Sequence, residues 1–289
     1  MEESTFYTDL ALERKSAKGL CEGFSFREVK KGSFAVSHLK IEEESAAKTI
    51  QKPIGDYYTV SFPSPDYMEK KEKDGLVSVL AETIKQVSPS KVKRLLVVGL
   101  GNRNLTADSI GPKIADSIPA TAHLKQEKDF PFPSLLSTAV YVCVPGVMAQ
   151  SGMEAAEAVK AYCSLVLPDL VLVFDALAAQ NTERLLRTVQ ICNTGICPGS
   201  GIGCKRQTIN QETLGAPVVA VGVPTVVNAK AFVREALSES ERESAAIQDF
   251  LTEKEDFFVS PRTLDIETEA LVPLLASAVN RLFGFEIDP

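Results

Sequence analysis

Two short apolar stretches decide the fold of this chain: Leu95-Leu96-Val97-Val98-Gly99-Leu100-Gly101-Asn102 and Leu170-Val171-Leu172-Val173-Phe174. Each run is uniformly hydrophobic and rich in valine, which is typical of a strand buried on both faces of a parallel sheet. The first run leads to Asp108, and the second continues directly into Asp175. Because open α/β sheets bind ligands at the carboxyl ends of their strands, we predict that these two acids share one site.

The overall composition indicates a globular protein. The chain has 289 residues, of which 45% are hydrophobic and 24% charged, so it suits one large α/β domain or two smaller ones. A net charge of -7 and a pI near 5.1 argue against broad nucleic-acid or anionic-membrane binding, since both need a positive surface. The acidic start Met1-Glu2-Glu3-Ser4 lacks the regions of a signal peptide. We therefore expect a cytoplasmic protein with no membrane or direct nucleic-acid partner.

The cysteines are dispersed, which favours a reducing compartment. They stand at positions 21, 143, 163, 192, 197 and 204. A zinc site would use Cys192, Cys197 and Cys204, but the paired C-x-x-C spacing is missing and the chain holds only His38 and His123. We predict neither a metal nor a cofactor.

Strands alternate with helices from residue 92 onward. The pattern predicts strands over 94–100, 137–144, 170–174, 187–192 and 217–223, with helices over about 109–118, 150–166, 228–250 and 265–283. Such alternation predicts an α/β fold with a parallel-rich central sheet flanked by helices.

The first 90 residues have weaker periodicity and predict a small N-terminal α+β layer. Alternating residues favour strands over 33–41 and 52–60, the second after a turn, and helical spacing covers 76–87. The stretch Thr8-Asp9-Leu10-Ala11-Leu12-Glu13 reads as the first turn of a helix, with Thr8 or Asp9 as its cap.

Two glycine-rich stretches suggest phosphate binding without completing a known pattern. Gly99-Leu100-Gly101 begins a dinucleotide fingerprint, but Asn104 occupies the third glycine position. The stretch 194–203 forms a loop followed by Lys205 and Arg206, yet no register supplies the Walker spacing. Nucleotide binding is therefore a weak interpretation.

Asp108 has both a structural and a catalytic interpretation. It precedes Ser109-Ile110-Gly111-Pro112, where Ile110, Ile114 and Ile118 give one apolar helical face and the proline suits a first turn. An N-cap role for Asp108 therefore stays open beside a catalytic one.

Asp175 follows five apolar residues, so its charge must be paired, solvated in a cleft or neutralised by a proton. A structural hydrogen bond to a neighbouring loop is the alternative to a catalytic role. Two carboxylates close enough to repel each other cannot both ionise freely, so one keeps a proton while the other can activate water. Asp108 and Asp175 together thus predict acid–base hydrolysis of an amide.

Other classes of protein also stay open. A cysteine hydrolase would use Cys143 or Cys197 as nucleophile and His123 as base. A metal-dependent hydrolase would use Asp108 and Asp175 as oxygen ligands, although the scarcity of histidine weakens it. A non-catalytic binding protein would keep the same sheet and show no turnover.

Several long motifs occur in one order along most of the chain. They are 8–13, 52–57, 99–112, 145–152, 175–179, 194–203 and 212–227. These motifs resemble the spore germination protease family, endopeptidases that degrade small acid-soluble spore proteins when endospores germinate. The resemblance implies an aspartic-type peptidase, similar to hydrogenase-maturation peptidases in fold, with Asp108 and Asp175 as its catalytic pair and small acid-soluble spore proteins as its substrate. It also implies a homotetramer located in the spore core.

The same resemblance implies a zymogen that processes itself between Asp9 and Leu10. The motif around this bond looks like the substrate's own site: an acid, an apolar residue, Ala, any residue and Glu. We therefore predict a propeptide over 1–9, an N-terminal arm and small α+β subdomain over 10–90, and an α/β catalytic domain over 91–289. An N-terminal arm that mimics the substrate can inhibit its own site, because tethering gives it a high effective concentration there.

The chain departs from the family pattern at three positions near these motifs. Asn228 stands where an aspartate is usual, Ala107 where a proline is usual, and Gln180 where an arginine is usual. These differences affect local detail and regulation more than the catalytic pair.

Overall fold

The computed structural model describes residues 8–18, 22–126, 136–199, 206–237, 244, 247 and 257–284. In this part of the chain one mixed sheet holds nine strands. The strands are β1 (Phe24–Lys31), β2 (Phe34–Ile41), β3 (Gly55–Ser61), β4 (Arg94–Gly99), β5 (Ala139–Cys143), β6 (Leu170–Ala179), β7 (Thr188–Cys192), β8 (Val218–Asn228) and β9 (Phe258–Val259). Their order is β1-β2-β3-β7-β8-β6-β4-β5, and β9 pairs with β8.

The sheet has a parallel half and an antiparallel half that meet at β8. Strands β5, β4, β6 and β8 are parallel to their neighbours in that half. Strands β7, β3, β2 and β1 continue the sheet with antiparallel pairing. The N-terminal strands therefore extend the same sheet that carries the βα units.

Helices cover both faces of the sheet. They are α1 (Ala11–Lys18), α2 (Glu44–Ile50), α3 (Lys70–Val87), α4 (Ile110–Asp116), α5 (Met148–Ser151), α6 (Ala155–Val166), α7 (Gln211–Leu214), α8 (Ala229–Ala236) and α9 (Leu264–Phe283). One face packs against α3, α4 and α9 in the largest core cluster. The other packs against α6 and α7 over the parallel strands, and against α1 and α2 over the antiparallel ones. The cavity described below lies on this second face.

Local sequence explains where the longer helices begin. A capping box formed by Glu69 and Glu72 starts α3, and a second one formed by Glu154 and Glu157 starts α6. In each box the two side chains satisfy backbone N–H groups that have no partner within the helix. Buried apolar side chains such as Leu76, Leu80 and Ile84 then follow at helical spacing and fix which face of α3 meets the sheet.

The predicted α/β class with helix-flanked parallel strands is confirmed, and several details differ from the prediction. The strand predicted over 170–174 continues to residue 179, because its pairing with β8 goes on past Asp175. The strand predicted over 187–192 is present as β7 but is antiparallel. β1 was not predicted. The helix predicted over 228–250 begins at Ala229, and most of its second half lies outside the described residues.

The predicted domain boundaries stay predictions. Long N-terminal and C-terminal parts of the chain contribute to the same sheet, since β3 pairs with β7 in register from Tyr57 with Cys192 to Ser61 with Thr188. No helix among the described residues is both long and apolar enough to cross a membrane.

Candidate active site

A cavity of about 390 Å³ opens on the second face of the sheet, near the carboxyl end of β4. Asp108 and Asp175 both line it, as do Asp9 from the N-terminal segment and Arg206 from the far side of the glycine-rich loop. The two acids therefore line one cavity, as predicted. A third carboxylate, Asp9, and a cation, Arg206, line the same cavity.

Asp175 lies inside β6 and not after it. It pairs with Gly222 of β8, and its side chain is buried, with 6% of the residue exposed. The Ala176 backbone N–H donates to Asp175 Oδ1 over 2.9 Å. Burial raises the pKa of Asp175 well above its ordinary value, and the nearby charges of Asp108 and Asp9 raise it further.

Asp108 ends a short 3-10 turn, Thr106–Asp108, immediately before α4. Its Oδ2 accepts a hydrogen bond of 2.8 Å from the Asn102 backbone N–H, and Ser109 occupies the N-cap of α4. The carboxylate thus stabilises the loop after β4 and does not cap the helix. Burial raises the pKa of Asp108, while the Asn102 hydrogen bond and the Arg206 charge oppose that rise.

The glycines after β4 explain the incomplete dinucleotide pattern. Gly101 has φ +117, and a Cβ there would lie 2.0 Å from the Asp108 backbone oxygen. A Cβ on Gly99 would lie 2.5 Å from the Gly111 backbone oxygen. These glycines therefore let the loop close around Asp108 and let α4 pack tightly on β4.

The carboxyl pair has the electrostatics of an acid–base dyad. The Asp108 charge raises the pKa of Asp175, and burial raises the pKa of both groups. The Arg206 charge lowers both, so it opposes full neutralisation of the pair. One carboxyl that keeps its proton beside one that is ionised can supply both an acid and a base.

Arg206 is a site residue that the sequence reasoning missed. The motif search tested it only as part of a phosphate loop, together with Lys205, and the Walker spacing was absent. Lys205 lies outside the described residues. The sequence feature that could have identified Arg206 is its position just after a glycine-rich stretch. Sequence alone could not show that Arg206 lies beside the two acids.

The N-terminal segment lies against the end of β6 and bonds to Ala178 there through its backbone and through the Asp9 side chain. The Asp9 backbone N–H donates to the Ala178 oxygen over 2.9 Å, and the Ala178 N–H donates to Asp9 Oδ2 over 2.9 Å. Leu10 is fully buried in an apolar cluster that includes Leu177 and Leu185. The bond between Asp9 and Leu10 is therefore held at the wall of the cavity.

Ala11 and Glu13, which follow Leu10, are also buried and hydrogen-bonded. Ala11 is fully buried, and its N–H donates to Gln190 Oε1 over 2.7 Å. The Glu13 carboxylate accepts hydrogen bonds from the Gln180 and Asn181 backbone N–H groups, at 2.8 and 3.0 Å. Within the motif only Leu12 is half-exposed. α1 then begins at Ala11.

Thr8 does not cap α1, which begins three residues later at Ala11. Its Oγ1 accepts a hydrogen bond of 3.1 Å from the Leu10 backbone N–H, and it donates to Glu13 Oε2 in a short contact. Arg184 adds an ion pair to Glu13, with 3.3 Å between Nε and Oε1. The Thr8 hydroxyl also lies 3.4 Å from the Ala178 oxygen, so the side chains of both Thr8 and Asp9 contact β6.

A cysteine-based site is not assembled. Cys143 is buried in the core, and burial raises the pKa of its thiol to about 11. His123 lies in a short turn, and the Thr121 N–H just before it donates to the Val140 oxygen near the start of β5, whereas Cys143 ends that strand. Cys197 does line the cavity, with its thiol donating to the Arg206 oxygen.

A metal site was considered in two forms. Cys204 of the cysteine set lies outside the described residues. Among the residues that are described, no group of three or more His, Cys, Asp or Glu side chains is arranged to hold a metal ion.

The three departures from the family pattern all lie close to the site. The Ala107 oxygen accepts a hydrogen bond of 2.7 Å from Thr225 Oγ1. Gln180 contributes its backbone N–H to Glu13, which does not depend on its side chain. Asn228 is buried and caps α8, accepting from the Lys230 N–H over 2.8 Å.

Comparisons with known proteins identify the family of this chain. Residues 2–239 match the family model described as germination protease. The chain is 41% identical to the germination protease of Caldanaerobacter subterraneus over 225 residues, which cover 77% of this chain and 69% of that protein. It is 38% identical to the germination protease of Clostridium tetani over 231 residues, covering 77% of this chain and 70% of that protein.

Among solved structures, a NiFe hydrogenase maturation protease from Thermococcus kodakarensis is similar to this chain. It is 16% identical with a TM-score of 0.37, and the match covers 70% of this chain and 99% of that one. The family model, in contrast, spans most of the chain and agrees with the named relatives. The chain therefore belongs to the germination protease family and is a peptidase with a role in germination.

Proposed function

We propose that this chain is an aspartic-type endopeptidase that hydrolyses small acid-soluble spore proteins in the spore core during germination. Asp108 and Asp175 share one proton, and the ionised carboxylate activates water against the peptide carbonyl. The observation that carries the proposal is that Asp9, Asp108 and Asp175 line one cavity, with the Asp9–Leu10 bond at its wall.

The enzyme is made as a zymogen, and its N-terminal segment occupies the groove that a substrate would use. This proposal is supported by the burial of each residue, which matches how strictly the motif specifies that position. Asp9, Leu10, Ala11 and Glu13 are all buried, whereas Leu12, at the position where any residue is accepted, is half-exposed. The segment is held at its backbone by Ala178 and Gln190, and its buried side chains occupy their own pockets, which is how a bound peptide can be recognised.

The pocket for Glu13 accounts for the choice of an acid at that position. Two backbone N–H groups and Arg184 face its carboxylate. These donors would be left without a partner if an apolar side chain replaced the acid, which makes the pocket selective. A spore protein that presents the same motif would bind in this groove after the N-terminal segment has been removed. We also propose that the enzyme acts as a homotetramer.

The direct test uses the protein and two substitutions. Purified protein is incubated with a small acid-soluble spore protein, alongside the Asp108→Asn and Asp175→Asn variants. We expect cleavage by the wild type after processing and a loss of about 10²–10⁴-fold in each variant, the usual contribution of acid–base catalysis. Retained cleavage in both variants would refute the assignment. A parallel sample with a chelator separates this mechanism from the metal-dependent alternative, which requires loss of activity on metal removal.

Self-processing has its own measurement. Mass spectrometry of protein held under mildly acidic, dehydrating conditions should reveal a new N-terminus at Leu10. An intact N-terminus in a sample that is otherwise active would contradict the zymogen part of the proposal.

A further inference from the structure

Gln190 holds both sides of the Asp9–Leu10 bond. Its Nε2 donates to the Asp9 carbonyl oxygen over 3.1 Å, and its Oε1 accepts from the Ala11 N–H over 2.7 Å. A carbonyl oxygen can only accept and a backbone N–H can only donate, so these partners fix the orientation of the side-chain amide. The donor therefore faces the oxygen of the very carbonyl that hydrolysis would attack.

The position of Gln190 follows from the register of the sheet. Gln190 on β7 pairs with Gly222 on β8, and Gly222 pairs with Asp175 on β6. Side chains that are in register across neighbouring strands point to the same face, and each strand spacing is about 4.8 Å. Gln190 and Asp175 thus stand on one face, roughly 10 Å apart across a residue that has no side chain.

The bound segment runs between these two side chains. Asp9 lines the cavity of Asp175 and also a neighbouring cavity of about 200 Å³ that Gln190 lines. The Asp9 carbonyl oxygen thus bonds to Gln190, while Asp9 and Asp175 line the same cavity. Gln190 is itself buried, with 7% exposed, so its hydrogen bonds are shielded from water.

We propose that Gln190 is a catalytic residue of this peptidase, whose side-chain N–H stabilises the negative charge that develops on the Asp9 carbonyl oxygen during hydrolysis. The inference rests on the proposed function, since it takes Asp9–Leu10 as the bond that is cleaved. A preorganised donor aimed at such an oxygen, in a site closed to water, is a large source of rate enhancement.

The reaction balances with water as the only co-reactant. The oxygen of water bonds to the Asp9 carbonyl carbon, and its proton passes to the ionised carboxylate of the pair. The carbonyl electrons move to the oxygen that faces Gln190 Nε2. When the intermediate collapses, the C–N bond breaks, and the Leu10 nitrogen takes a proton from the carboxyl group. The products are a carboxylic acid at Asp9 and an amine at Leu10.

Two substitutions in the full chain test this role. Gln190→Met keeps the size of the side chain and removes both hydrogen bonds. Gln190→Glu keeps the acceptor for Ala11 and replaces the donor by an oxygen, which donates only when the carboxyl is protonated. Gln86→Glu is the matched control, because Gln86 is exposed on α3, which packs against the opposite face. The rate at which the N-terminus at Leu10 forms is followed by mass spectrometry, and thermal unfolding checks the fold of each variant.

We expect Gln190→Met to process itself about 10²–10³-fold more slowly than the wild type, the usual effect of removing one such donor. The control should match the wild type. For Gln190→Glu, the rate divided by the wild-type rate at the same pH should rise as the pH falls, because protonation restores a donor. A rate ratio for Gln190→Glu that stays flat across pH contradicts the donor role.

The outcomes separate the two proposals. In one outcome the wild type forms the Leu10 terminus, both aspartate variants do not, and Gln190→Met and Gln190→Glu keep the wild-type rate. Gln190 is then not catalytic, and the aspartate mechanism stands. If Gln190→Met does not fold, a flat rate ratio for Gln190→Glu across pH overturns the role equally. If the wild type never forms the Leu10 terminus, or both aspartate variants form it at full rate, the proposed function itself fails.

Discussion

The parallel and antiparallel halves of the sheet place different kinds of side chain near the N-terminal segment. The parallel half supplies charge, through Asp175 inside β6 and Asp108 in the loop after β4. The antiparallel half supplies a neutral amide, Gln190 on β7, that bonds the segment on both sides of one peptide. Parallel pairing thus brings together ionisable groups that lie within or after neighbouring strands, while an in-register antiparallel strand can bind a backbone without adding charge.

A large loss of activity is expected from disturbing the parallel half at Gly101. Gly101→Ala places a Cβ 2.0 Å from the Asp108 backbone oxygen at a φ of +117, so the loop must shift and carry the carboxylate with it. A displacement of about 1 Å in a catalytic group can cost about 10²-fold in rate. We expect a loss of that size in the rate of Leu10 terminus formation.

Gly215→Ala is the control for this change. Gly215 has φ +70, so the substitution introduces similar backbone strain, but nothing lies within 4 Å of the added Cβ. Equal losses of activity in the two variants would show that strain alone, and not the position of Asp108, explains the result.

The next effect concerns how the segment is held. Glu13→Ala leaves the Gln180 and Asn181 N–H groups without their acceptor, at a cost of roughly 1–3 kcal/mol for each buried donor. We expect hydrogen exchange at these two amides to speed up by about tenfold or more and self-processing to slow, since each 1.4 kcal/mol is about a factor of ten. Leu12→Ala, one residue earlier and half-exposed, should change exchange there much less. Unchanged protection in Glu13→Ala would show that the pocket does not hold the segment.

A smaller effect is expected from pH. Burial raises the pKa of Glu13 above its ordinary value of 4.5, although hydrogen bonds from Thr8 and the 180–181 backbone oppose the rise. Because the pKa of Glu13 is higher in the docked segment than in the free one, docking is most favourable at pH values below the ordinary pKa of Glu13. Docking then weakens as the pH rises through the raised pKa. Protection of the segment from proteolysis should therefore fall from pH 4.5 upward, and Glu13→Gln should remove part of that dependence. Protection that grows with pH would contradict this sign.

The smallest effect is on stability, and it runs opposite to activity. Burial and the charges of Asp108 and Asp9 raise the pKa of Asp175 above 3.8, so its ionised form opposes folding above that pKa. Asp175→Asn removes the charge and can keep the bond from the Ala176 N–H. We expect Tm at neutral pH to rise by about 2–4 °C for each kcal/mol regained. A lower Tm, measured by thermal unfolding, would show that the carboxylate stabilises the fold.

Periodicity in the sequence predicted much of this fold because buried parallel strands leave a strong local signal. The run before Asp175 was recognised as a strand, as was the run before Asp108, and their meeting at one cavity followed from the geometry of parallel sheets. The end of β6 was predicted too early, since a charged residue usually marks the end of an apolar run. Here the pairing with β8 continues through it.

The rest depends on pairings between distant residues that leave no local trace. Gln190 lies in an ordinary strand, and nothing near it in sequence indicates that it contacts Asp9, 181 positions away. Arg206 follows a loop whose path only the fold decides. The peptidase family could be recognised from motifs in a fixed order. The roles of the two acids and of the Asp9–Leu10 bond stay predictions that rest on that resemblance. Only the tertiary structure decided that this motif lies between Asp175 and Gln190, because strand register brings side chains together across the chain.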